Sequence, residues 1–246
     1  VMLGQPARDE QIKNWCKSLR NMGKAGIPIL GYNFTVIGVW RTSLSTYGRG
    51  GARVTSFDYD LVKDAPLTDV GKISEEQMWD NFTYFLKRVI PAAEEARVKM
   101  ALHPDDPPVP SLSGIARIFR SVEAFKRMIE IVPSDYNGIE FCQGCFSEMG
   151  ADVIEAIRYF GGRRKIFYVH FRDVKGTATK FDECFIDEGN VDMLKAMRAY
   201  KEVGFDGPMI DDHVPRIIDD TPWGHRSRAY AAGYMKALMR AVEFPS

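Results

Sequence analysis

The sequence has no surplus of either charge: 33 Lys and Arg balance 33 Asp and Glu over 246 residues. That balance leaves no basic stripe for nucleic acid and no polybasic patch for an anionic membrane. Long apolar runs are missing too. The longest uncharged stretch falls short of the roughly 20 residues that span a bilayer, and nothing near Val1 has the layout of a signal peptide. Cysteine is scarce, with Cys16, Cys142, Cys145 and Cys184 scattered along the chain. Four such residues make no disulfide framework, so a reducing cytoplasm is the expected setting. The partner these absences leave is a small metabolite, with no nucleic acid and no membrane.

What is present fits one large core. A chain that is 45% hydrophobic and 27% charged reads as a single α/β domain over residues 1–246. Apolar residues at Ile12, Trp15, Cys16 and Leu19 have helical spacing within Asp9–Met22, and Gly23 and Gly26 end that helix. Ile27–Phe34 reads as a buried strand. From Thr35 to Ile73 the pattern dissolves into glycine, aromatic and arginine residues, which predicts a long loop. Ser74 and Gln77 have capping-box spacing ahead of a helix through Met78, Phe82, Phe85, Leu86 and Val89. Strands then alternate with helices: strand Val98–His103, a helix after Ser121, strand Gly138–Cys142, helix Asp152–Phe160, strand Lys165–His170, helix Asn190–Val203, strand Pro208–Asp212 and a closing helix Arg228–Val242. Strict alternation with short returns means parallel strands.

Four of these five strands end alike. Ala101–Pro110 (ALHPDDPPVP) stops an apolar run at His103, GIEFC closes on Cys142, KIFYVH on His170, and GPMIDDH on Asp212 and His213. An open doubly wound sheet places its site at one switch point, whereas ligands converging from successive strand ends suit the rim of a (β/α) barrel. A closed barrel has eight strands, so the expectation is that three lie ahead of Val1.

The chain has only four histidines, and three of them stand at strand ends. His103, Cys142, His170 and Asp212 would supply two imidazoles, a thiolate and a carboxylate, a set that suits a divalent transition ion rather than magnesium or calcium. A lone buried His or Cys at a strand end is often a satisfied core residue. The repeated context is what argues for a site. Cys145 and Cys184 read as packing, and at least one of Asp105 and Asp106 as a turn cap before Pro107.

Taken together, ILGYNF, the Trp40-Arg41 pair, ALHPDDPP, the cysteine of FCQG, HFRDVKG, the segment FDECFIDEGNVDM and the closing DH resemble the mannonate dehydratase family of hexuronate breakdown, from about Ile27 onward. The resemblance implies an α/β fold, the xylose-isomerase-like (β/α)8 TIM barrel. It implies dehydration of a sugar acid, D-mannonate to 2-keto-3-deoxy-D-gluconate, with Mn2+ or Fe2+ on His103, Cys142, His170 and Asp212. It further implies His213 as the proton-transfer residue, and Asn33, Trp40, Arg41 and Arg172 as the residues that hold the sugar acid. Barrels of this kind often pair, so a homo-oligomer is compatible.

Two departures stand out. The family carries a tyrosine after the DH pair, in a G-Y-x-x-x-x-R context, and aligning on Arg228 puts Trp223 there. Indole exchanges no proton near pH 7, so His225 would take over, or Tyr230 or Tyr234 would reach in. Those two tyrosines are at i, i+4 in a helix, where core packing is the ordinary role. The segment ahead of Ser74 is also shorter than in the family. A metal-dependent isomerase, epimerase or eliminase is therefore the alternative reading, and a non-catalytic sugar-binding barrel the third.

Overall fold

Five strands, Ile29–Tyr32, Lys99–Leu102, Asn137–Cys142, Ile166–His170 and Met209–Ile210, pair side by side in chain order, and every pairing is parallel. They belong to a computed structural model that describes residues 1–243. Parallel strands covered on both faces read as continuous apolar runs; in Asn137–Cys142 every residue is buried.

The flanking helices begin where the sequence provides caps. Ser74 Oγ accepts from the Gln77 amide at 3.1 Å, and Gln77 Oε1 accepts from the Ser74 amide at 2.9 Å. This reciprocal pair satisfies two otherwise orphaned donors at the start of Glu75–Ala96. That helix buries Met78, Phe82, Phe85, Leu86, Val89 and Ile90. Ser121, Asp152 and Asp192 cap Val122–Ile131, Val153–Gly161 and Met193–Glu202 from one side, each accepting the amide three residues on. The helix expected from Asn190 thus starts at Met193, because the Asp192 carboxylate receives the Lys195 amide at 3.0 Å. The closing helix is His225–Ala241. No helix among the described residues is long and apolar enough to cross a membrane.

The expected loop over Thr35–Ile73 is a correction. It holds two strands, Ser43–Tyr47 and Arg53–Asp58, which join Lys180–Glu183 and Val174–Thr177 in a four-stranded antiparallel sheet. Gly50 (φ 63°) and Gly51 (φ 78°) turn the first hairpin through a left-handed backbone that only glycine enters freely. Phe57 faces Phe181 in register, and both pack with Val109, Leu112 and Val174 in a small core of their own. The pairing partner lies far along the chain, so the local pattern of 43–58 carries little strand signal.

Candidate metal centre

The four expected ligands meet. One donor atom each of His103, Cys142, His170 and Asp212 lies within 4.8 Å of all the others. Register explains this: Cys142 pairs with His170, and His170 pairs with Ile210, two residues before Asp212. Asp212 has φ 53°, so the last strand ends at Ile210 and the chain turns through left-handed backbone at the carboxylate. Such a residue costs roughly 1–2 kcal/mol, least for Asp, Asn and Gly.

The imidazoles are oriented from behind. His103 Nδ1 is 2.6 Å from the Pro104 carbonyl, which can only accept, so Nδ1 carries the proton and Nε2 keeps its electron pair. His170 Nε2 is 2.6 Å from Glu140 Oε1. His170 Nδ1 is left buried without a hydrogen bond, 3.3 Å from Asp212 Oδ2 but out of alignment with it. An orphaned imidazole nitrogen facing a carboxylate, a second imidazole and a thiol fits a divalent transition ion.

Charges agree with that fit. Burial works against the Cys142 thiolate, but Cys145, Arg172 and His103 together hold the thiol well below its usual range. Burial likewise opposes the Asp212 carboxylate, and His170, Arg172 and His213 outweigh it and keep it ionised. For His170, burial disfavours the cation while Asp212, Cys142 and Glu140 favour it more strongly, so its value is pushed up to about 12. For His170 to hold a divalent ion it would have to give up that proton.

Beside this centre stands a second constellation. His213 Nδ1 lies 2.8 Å from Glu183 Oε1. Arg41 donates to Glu183 Oε1 at 2.6 Å and to Asp106 Oδ2 at 2.8 Å. Arg172, 1% exposed, donates from Nε to Asp212 at 3.0 Å, from Nη2 to Asp106 at 3.0 Å, and from Nη1 to Glu183 at 3.1 Å. It also reaches Glu148 Oε1 and Cys145 Sγ, both at 3.3 Å. Burial, then Asp106, push the Glu148 carboxyl well above its usual range. Asp106 is held down at about 2, burial being outweighed by Arg41 and Arg172.

Several sequence expectations change here. Of the two aspartates before Pro107, Asp106 is an ion-pair partner of two arginines, and Cys145 touches Arg172 instead of only packing. Arg172 spends its donors on protein carboxylates, which leaves it no free edge for a substrate carboxylate. Trp40 packs against the small core around Phe57 and Phe181. Asn33 lines a separate depression with Trp15, Phe34 and Phe85. His225 is exposed, 2.7 Å from Thr221 Oγ1, and is absent from the walls of the cleft. That cleft, about 430 Å³, is walled by Arg41, Glu183, Asp212, His213, Arg216 and Trp223 among others, and no tyrosine lines it. Tyr230 lies instead beside Arg49 and Phe185.

Sequence reasoning missed Glu140, Glu148 and Glu183. A charged residue inside the apolar run NGIEFC was a signal for Glu140, since a buried carboxylate needs a partner. Glu183 stood inside a quoted segment with nothing local to distinguish it from its acidic neighbours.

Comparison with known proteins agrees with this geometry. The sequence profile described as D-mannonate dehydratase (UxuA) matches residues 1–72 and 65–245. The mannonate dehydratase of Thermotoga maritima is 34% identical over 290 residues, covering 99% of this chain and 78% of that protein. Mannonate dehydratase 2 of Halalkalibacterium halodurans is 32% identical over 273 residues, covering 98% and 79%. Both alignments are longer than 246 residues, so these relatives carry extra residues inside the matched span. The profile match divides at 65–72, just ahead of Ser74, where the sequence departs from the family. The crystal structure of mannonate dehydratase from Streptococcus suis serotype 2 superposes with a TM-score of 0.87 at 32% identity, covering 100% of this chain and 75% of that one. A D-tagatose 3-epimerase-like protein matches with a TM-score of 0.63 at 15% identity, a likeness of fold alone. The five parallel strands are thus an arc of a xylose-isomerase-like (β/α) barrel.

Proposed function

This chain belongs to the D-mannonate dehydratase family, and from that membership we propose that it converts D-mannonate to 2-keto-3-deoxy-D-gluconate and water, with a divalent ion held by His103, Cys142, His170 and Asp212. The observation that carries the reading is the convergence of those four donors beside His213. Mn2+ or Fe2+ is the proposed ion, because the set mixes a carboxylate with imidazoles and a thiolate. When bound, the ion supplies Lewis-acid polarisation of the substrate carboxylate and its neighbouring hydroxyl.

His213 is the proposed proton-transfer residue. It stands at the cleft wall with Nε2 3.7 Å from Asp212 Oδ2. A neutral imidazole takes the C2 proton, and the C3 hydroxyl departs with a proton as water. The resulting enol tautomerises to the 2-ketone, so no net proton is consumed. Arg172 fixes Asp212 and Glu183 instead of touching the substrate. Arg53 and Arg216 give the cleft its cationic wall toward the sugar acid, while Arg41 spends its terminal donors on Asp106 and Glu183. Four free cysteines support the cytoplasm as the compartment.

The test is turnover of D-mannonate by freshly reduced, manganese- or iron-loaded protein, following 2-keto-3-deoxygluconate, alongside His213→Asn. Wild type is expected to form product, and the variant to lose roughly 10²–10⁴-fold in kcat. Metal-loaded wild type that forms no product would overturn the reading.

A further inference from the structure

Glu183 is not one of the expected ligands, yet it touches the proton-transfer histidine and both arginines beside it. Its Oε1 accepts from Arg41 Nη2 at 2.6 Å and lies 2.8 Å from His213 Nδ1. Its Oε2 accepts from Arg172 Nη1 at 3.1 Å. The side chain is 5% exposed, and it comes from Lys180–Glu183, a strand held on both sides within the antiparallel sheet. Two guanidinium groups, which can only donate, therefore pin both carboxylate oxygens, and the carboxylate cannot swing away from the ring.

We propose that Glu183 is a positioning residue for proton transfer: it holds His213 as the Nδ1–H tautomer, leaving the electron pair on Nε2, the nitrogen that approaches Asp212. This rests on the reading of His213 as the proton-transfer residue. The competing arrangement has Arg41 donating to a bare Nδ1, which would put the proton on Nε2. Arg41 Nη2 is 3.5 Å from Nδ1, against 2.8 Å for the carboxylate. The shorter, charge-assisted contact wins, and a carboxylate held by two guanidiniums has no proton to give. Arg41 then serves the ring indirectly, by donating to the same oxygen. Asp106 accepts from Arg41 and Arg172 and keeps both in place.

The first measurement is a ¹⁵N–¹H correlation spectrum of metal-free wild type with labelled histidines, above the pH at which the ring loses its charge. His213 is assigned by its disappearance in His213→Asn. Predominant Nδ1–H is expected; predominant Nε2–H, or an even mixture, overturns the proposal. The second is kinetic. A glutamine cannot accept on both sides, so Glu183→Gln is expected to lose about 100-fold in kcat, with KM and metal affinity within about threefold of wild type. The double variant Glu183→Gln/His213→Asn is expected to be no slower than His213→Asn alone. Additive losses, or a loss confined to KM or metal binding, would show a merely structural role. The spectrum needs no Glu183 variant, so it decides the matter even if that variant misfolds. If wild type fails to dehydrate D-mannonate, the functional reading falls and the spectrum still judges the Glu183–His213 pair.

Discussion

Arg172 Nε and Asp212 Oδ2 are 3.0 Å apart, and this bond joins the proposed metal donors to the charge network behind the cleft. On one side of it Asp212 lies against His170, and on the other the same guanidinium fork reaches Asp106, Glu183 and Glu148. The proposed ligand set and the proposed proton-transfer set share the Arg172 guanidinium.

Arg172→Lys should therefore not behave as a conservative change. A compact ammonium cannot reach carboxylates on several sides at once, and the acids it abandons are buried. The expected loss is about 3 kcal/mol of unfolding free energy, read from the shift in urea midpoint, with weaker metal uptake. A midpoint unchanged from wild type would mean that the network contributes nothing net.

Glu140→Gln addresses the orientation of His170 from behind. The Glu140 contact to Nε2 leaves Nδ1 toward Asp212. Metal affinity of the variant, by calorimetric titration, should fall roughly 10–100-fold with the fold retained. Equal affinity would show that the ring is oriented by packing alone.

Asp173 gives stability a pH dependence. Burial pushes its carboxyl up to about 6, against the hydrogen bonds it accepts from the Val191 and Val174 amides. The folded chain then binds this proton more tightly than the unfolded chain. The stabilising contribution is full below the ordinary value of 3.8 and is lost as pH rises through about 6. Between pH 5 and 7, wild type should lose on the order of 1 kcal/mol relative to Asp173→Asn. Denaturant melts of both proteins at the two pH values measure it; a constant difference would refute it.

Phe181→Ala should separate the two halves of the site. The ring is buried against Phe57 at 5.8 Å, with the Arg41 guanidinium 4.9 Å above it. Truncation should cost about 3–5 kcal/mol and lower turnover by loosening Arg41 and Glu183. Metal bound per chain, measured by elemental analysis at low temperature, should stay at the wild-type level.

The convergence of the four candidate donors was legible because each one ends its own apolar run. His103, Cys142, His170 and Asp212 announce themselves within a window of a few residues, and parallel register then brings them together. Glu183 and Asp106 were not legible, since what distinguishes them from other acids is two arginines supplied by distant segments. For Arg172 the residue could be singled out, but its direction could not, because spacing does not reveal whether a guanidinium faces solvent or a buried ring of acids. Thr35–Ile73 failed as a loop for the same reason that Glu183 was missed. Its strands are stabilised by residues 174–183, and no local period encodes that pairing.

The same antiparallel sheet has a cost during synthesis. Asp58 and Lys180 stand 122 positions apart, so the hairpin 43–58 leaves the ribosome long before its partner strand is made. Until then the Arg53–Asp58 edge is an open row of backbone donors and acceptors beside an uncovered Phe57, the kind of template on which nascent chains stick to one another. The barrel arc, by contrast, grows strand by strand onto the one just completed. The hairpin is therefore where a chaperone gains most by binding, and the arrival of residues 174–183 releases it.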